Sequence, residues 1–150
     1  MSIKLNQIAT IIKIADEHYD REMDSWYFGP CDKVYSIAKE FSLKLWDSFI
    51  ESTKENKPDM WRVFLSHSFF EHDEYIGKSQ EFIVFQSLKC IASNDAYLIV
   101  QYMDNFDWTS VPVWLRNQMI LKLKTMQIEC SSGCKPLLNE ILNEINKANS

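Results

Sequence analysis

The stretch Val34-Tyr-Ser-Ile-Ala38-Lys-Glu-Phe41-Ser-Leu-Lys-Leu45-Trp-Asp-Ser-Phe49 decides the fold class. Its apolar residues Val34, Ala38, Phe41, Leu45 and Phe49 recur at three- and four-residue steps, the period of one helix face. Lys39, Glu40, Lys44, Asp47, Glu51 and Lys54 occupy much of the other face. A strand would alternate every second residue, and this stretch does not. The pattern predicts one helix from about Cys31 to Glu55, entered through Gly29-Pro30 and stopped by Asn56-Lys-Pro58.

The same period extends outward in both directions. A first helix is expected from about Ile3 to Arg21, with Leu5, Ile8, Ile12, Ala15 and Tyr19 on one face. Pro58 opens a third, from Asp59 to about Phe70. Ser79 caps a fourth, to about Ala92, whose stripe is Phe82, Phe85, Leu88 and Ile91 or Ala92. A fifth runs from Ala96 to about Met103. It contains Tyr97-Leu-Ile-Val100, apolar on all sides, for which a buried strand is the rival reading. A sixth spans about Val111 to Ile128, and a last one starts at Pro136. With only 3 Gly and 4 Pro in 150 residues, the closely spaced turns of an all-β domain lack material. The expectation is an all-α fold: one compact domain over residues 1–150 with about seven helices, a bundle or a HEAT-like stack. Its expected core includes Ile8, Ile12, Val34, Phe41, Leu45, Phe85, Leu88, Leu98, Leu115, Met119 and Ile141.

Composition narrows the function classes. The net charge is −5, which argues against general nucleic-acid binding, since that affinity comes from Lys and Arg on phosphates. No apolar run approaches the ~20 residues of a membrane span, and the first residues carry no signal-peptide pattern. A cytoplasmic protein without membrane contact is expected, with Cys31, Cys90, Cys130 and Cys134 reduced.

Chemical motifs are sparse. His67 and Glu71 have helical i, i+4 spacing with His72 next, but that supplies too few ligands, and His-Glu-x-x-His is absent. Cys130-Ser-Ser-Gly-Cys134 lacks the second pair a structural zinc site needs. There is no Gly-x-Ser-x-Gly elbow, P-loop or dinucleotide loop. No catalytic residue, metal or cofactor is expected, and the chain reads as a non-enzyme.

Three segments mix carboxylates with large rings. They are Asp20-Arg-Glu22-Met-Asp24-Ser-Trp26-Tyr27-Phe28, Phe69-Phe-Glu71-His-Asp73-Glu74-Tyr-Ile76 and Tyr102-Met-Asp104-Asn-Phe-Asp107-Trp108. Residues 16–24, 71–74 and 95–107 together carry −10, leaving +5 for the remainder. Protein interfaces favour such rings, and surrounding acids steer a basic partner. The competing reading is that the rings close the ends of the helical core while the acids keep those ends hydrated. In overall character the chain resembles the immunity proteins of bacterial contact-dependent and polymorphic toxin systems. That resemblance implies direct inhibition of one cognate basic toxin domain, such as a nuclease, at its active site. The residues proposed to meet the partner are Asp20, Glu22, Asp24, Trp26, Tyr27, Glu71, Asp73, Glu74, Asp104, Asp107 and Trp108. The alternative is a helical adaptor that takes a peptide in an apolar groove.

Overall fold

A computed structural model describes the chain except residues 1, 2, 21, 22, 28, 71 and 73, and except the side chains of residues 3–5, 23 and 24. Among the described residues the protein is all helical. The helices are α1 (Ile3–His18), α2 (Met23–Tyr27), α3 (Pro30–Ala38), α4 (Leu43–Ser52), α5 (Asp59–His67), α6 (Ser79–Lys89), α7 (Ser93–Val100), α8 (Val113–Glu129) and α9 (Lys135–Asn149). Short 3-10 turns occupy Met103–Asn105, Trp108–Ser110 and Ser132–Cys134.

The elements pack as a stack. α1 and α3 lie together at one side and touch α5; α5, α6 and α7 pack on one another in the middle; α8 joins α6 and α7 and carries α9 on its far side. α9 returns to the turns at Met103–Asn105 and Trp108–Ser110. The Tyr97–Val100 run is therefore helical, with Ile99 and Val100 fully buried.

The long helix expected over Cys31–Glu55 is two helices. α3 ends at Ala38, and Ser42 starts α4 by accepting a hydrogen bond from Leu45 N at 3.1 Å. All five residues of the stripe that motivated the longer helix are nevertheless buried. The tight turn at Lys39–Phe41 preserves the facing of both pieces. Between the first two expected helices lies the short α2, which the periodicity did not announce.

Ile12, Phe85, Leu88 and Leu98 are only half-buried, whereas Ile11, Ile83, Val84 and Ile99 are fully buried. In α6 the cause is plain. The helix touches α4, α5, α7 and α8, so it buries Gln86 and Ser87 as well as Phe82, Ile83 and Val84. Ile91, expected on the core stripe, lies beyond the end of α6 and is 90% exposed. A helix packed on several sides has no single stripe for periodicity to reveal.

At the heart of the core, rings from α4, α6 and the turn after α5 meet. Phe49 stacks on Phe82 at 4.5 Å, and Trp46 sits edge-on to Phe69 at 5.5 Å. Gly77 has φ +46°, and a Cβ there would fall 2.1 Å from Trp46 Nε1. Only glycine combines that backbone with that approach.

Candidate partner-binding surface

The structure joins the three acidic-aromatic segments through their rings. Tyr27 at the end of α2 donates its hydroxyl hydrogen bond to His67 Nδ1 at 2.6 Å. His67 also meets Tyr102 edge-on at 5.0 Å, and Tyr102 lies 5.0 Å from Phe70. Tyr75 packs edge-on against Phe106 at 4.9 Å, and Phe106 reaches Trp108 at 5.5 Å. Each segment thus contributes rings to one cluster at the loop ends of α2, α5 and α7.

His67 centres that cluster. Its Nε2 lies 3.1 Å from the Leu98 carbonyl, which can only accept, so Nε2 carries the proton and Nδ1 receives the Tyr27 hydroxyl. Burial pushes the His67 pKa below its ordinary value, although the Leu98 hydrogen bond opposes this. The unfolded chain protonates His67 near pH 6.5, while the folded chain resists until lower pH. This contribution to stability is therefore complete above about pH 6.5 and is lost as pH falls towards the depressed folded value. We expect His67→Gln, which can still donate to Leu98, to show a shallower loss of unfolding free energy between pH 7.5 and pH 5.5. Urea titrations at the two pH values check this, and equal losses would refute it.

The rings do not all face outward. Trp26 is fully buried against Phe64, at 5.6 Å, and Trp108 is buried beside Phe106. Both close the core, as the competing reading held, and neither can act as an exposed anchor. Tyr27 is half-buried, and Tyr102 remains 44% exposed. Among the carboxylates Asp20, Glu74, Asp104 and Asp107 are exposed. Asp107 is partly engaged, accepting from the Thr109 backbone at 3.1 Å and from its hydroxyl. Burial and the charge of Asp104 push the Tyr75 hydroxyl up to about 12. Glu22, Glu71 and Asp73 lie outside the described residues, as does the side chain of Asp24.

Asp20 also lines an open cleft of about 570 Å³, together with Tyr19, Lys57, Met60, Ile91 and Asp95 among others. The cleft brings Asp20 of the first acidic segment beside Asp95, the first residue of the charged stretch 95–107. Asp59, on the same wall, receives the backbone N–H groups of Ile91 and Ala92, each at 2.9 Å. Burial opposes its charge, but these two donors hold Asp59 below the usual carboxylate range. Asp95 is pushed up, first by burial and then by its hydrogen bond to Asp59 and that group's charge. The two pKa values are split, yet each Asp59 oxygen is occupied by a backbone donor of the turn that leads into α7. Part of the concentrated negative charge is also spent internally. Asp16 holds Lys57 at 3.3 Å and Trp61 Nε1 at 2.8 Å.

Sequence reading missed Arg62, which is buried in α5. Its Nη1 donates to Thr53 O and Gln86 Oε1, both at 2.8 Å, and its Nη2 to Glu55 O at 2.7 Å. No spacing signal distinguishes it from a surface arginine. Cys90, Cys130 and Cys134 are free thiols, and the buried Cys31 thiol donates towards the His67 carbonyl at 3.8 Å. Among the described residues no group of three or more His, Cys, Asp or Glu side chains could hold a metal ion. No helix among them is long and apolar enough to cross a membrane. Comparison with known proteins returns no matching family model, no matching curated protein and no matching solved structure.

Proposed function

We propose that this chain is a non-catalytic binding domain that captures and neutralises a basic protein partner, in the manner of toxin immunity proteins. The observation that carries this reading is the ring cluster Tyr27–His67–Tyr102–Phe70, which fastens three acidic loops to one another. Loops fixed in this way hold their carboxylates without paying ordering entropy when a partner arrives. Exposed Asp20, Glu74, Asp104 and Asp107 supply the steering charge, and Tyr102 supplies an accessible ring. The cleft beside Asp20 and Asp95, with apolar Met60 and Ile91 on its walls, suits a lysine or arginine side chain whose stem packs while its head group pairs.

The test starts with affinity capture of the partner from the native cell, followed by association kinetics. Asp20→Lys combined with Asp104→Lys should slow association roughly tenfold at low salt, with the thermal midpoint almost unchanged. Glu140→Lys on the exposed face of α9 should have under a twofold effect, roughly, because it lies outside these loops. Equal effects at both places, or association indifferent to ionic strength, would overturn the reading.

A further inference from the structure

A second cleft lies beside the one that Asp20 lines, and it carries the opposite charge. It encloses about 430 Å³, with Lys54, Lys57, Pro58, Arg62, Lys89 and Ile91 on its wall. The two clefts share Lys57, Pro58 and Ile91. Four of the chain's 16 lysines and arginines converge here, although the net charge is −5. Among the described residues no carboxylate is on this wall. Glu51 pairs with Lys54, and Asp16 holds Lys57 at 3.3 Å, both from off the wall. The first pair is well exposed and therefore weak. Each pair takes one of the three N–H donors of its ammonium. Lys89 pairs with no carboxylate among the described residues; its ammonium lies 5.4 Å from the centre of the Phe85 ring.

Helix dipoles account for Lys54 just past α4 and for Lys89 at the end of α6. They do not account for Arg62 on the same wall. Arg62 is 2% exposed and donates only to neutral oxygens, so no carboxylate in contact cancels its charge. Those bonds use three of its five N–H groups, and its Nε has no partner among the described residues. α5 also begins here. Pro58 is its N-cap position and no side chain caps its first N–H groups, so the positive end of this nine-residue helix adds to the field. Asp59, in its first turn, is on the wall of the other cleft, with each oxygen taken by a backbone donor.

We propose that this cleft binds the phosphate group of a small phosphomonoester. Such a group carries about −1.5 to −2 charge at neutral pH and offers three terminal acceptor oxygens. These match ammonium groups that arrive from the loop after α4 and from the end of α6. A carboxylate brings one charge and two oxygens, which is too little for this set of donors. The cleft is larger than a bare phosphate ion, and Pro58 and Ile91 give the esterified group an apolar wall. One such site needs one phosphate, not the row of phosphates on which nucleic-acid affinity depends.

Titration calorimetry of the full chain with glycerol 3-phosphate, at pH 7.5 and constant ionic strength, tests this. Saturable binding is expected with a dissociation constant on the order of 1 mM, as for one small charged group in an open site. Glycerol alone and sodium acetate should give no saturable heat. Inorganic phosphate should bind more weakly, because it leaves the apolar wall unused. Lys54→Gln combined with Lys89→Gln should weaken binding roughly tenfold or more. Both side chains are exposed, so the melting midpoint without ligand should stay the same. Arg62 is kept, because the fold depends on its hydrogen bonds. Lys124→Gln, exposed on α8, should change binding by less than about twofold. Binding that acetate reproduces, that is absent up to about 20 mM, or that ignores the double substitution would overturn the proposal. Equal affinity for inorganic phosphate would assign the cleft to the free ion and overturn the ester assignment. The substituted lysines lie outside the acidic loops, so this site and the capture of a basic partner can fail separately.

Discussion

Phe82→Ala should lower the unfolding free energy by about 3–5 kcal/mol, the range for deleting a buried aromatic ring. Phe82 is fully buried and stacked on Phe49 at 4.5 Å, with Phe69 edge-on at 5.5 Å. Its contacts come from α4 and from the turn after α5, so no single element can move inward to fill the space. The loss combines the transfer energy of the ring with a cavity that α4 and the turn after α5 keep open. A domain of this kind is stable by about 5–15 kcal/mol in total, which makes this one change a large share. Urea denaturation followed by tryptophan fluorescence measures it. A loss under about 1 kcal/mol would mean the ring cluster collapses without cost. Leu88→Ala is the useful contrast. Leu88 is half-buried at the edge of a shallow hollow beside α8, so its truncation should cost about 1 kcal/mol rather than the 2–5 of a core leucine.

Arg62→Ala should cost about 3–5 kcal/mol, by a different mechanism. Arg62 is 2% exposed and its three short hydrogen bonds go to neutral oxygens. Two of these are carbonyls just past the end of α4, where the helix dipole is negative, which is how a buried cation is tolerated without a carboxylate in contact. Burial lowers its pKa, and the charge of Asp59 opposes that shift, but arginine starts high enough to stay protonated. Gln86, itself bonded to Thr53 Oγ1 at 2.8 Å, completes a network tying α4, α5 and α6 together. Removing the guanidinium strands three acceptors, and each lost charge-assisted bond is worth about 1.5–3 kcal/mol before water re-enters. Arg62→Lys should recover less than half of the loss, because a point ammonium cannot span three acceptors held by a planar fork. Chemical denaturation of both variants checks the order. Equal stability of the lysine variant and the unmodified chain would show that charge alone suffices.

The contrast between these two residues shows how far the sequence was legible. The Phe82 environment was partly readable, because aromatic residues at helical spacing announce a core face. Arg62 was unreadable, since whether an arginine is solvated or buried depends on which carbonyls the fold brings to it. The acidic segments lie between. Their charge and ring content stand in the sequence, but the same composition fits rings turned outward or inward. Trp26 and Trp108 turned inward, whereas Tyr102 stayed accessible.

Local chemistry in the chain determined the helical class, the breaks at Gly29-Pro30 and Pro58 and the burial of the Val34–Phe49 stripe. These depend on backbone preferences and on a period set by residues three and four apart. The split at Ser42 was also written locally, in a serine able to cap, but the unbroken stripe masked it. Tertiary structure alone decided which faces of α6 and α8 meet the core, that Tyr27, His67 and Tyr102 converge, and that Trp114, Leu121 and Ile128 are left outside. The physical reason is that a helix with apolar residues on two faces carries no preference of its own for which face is buried. That choice belongs to the surfaces packed against it, contributed by residues far away in the chain.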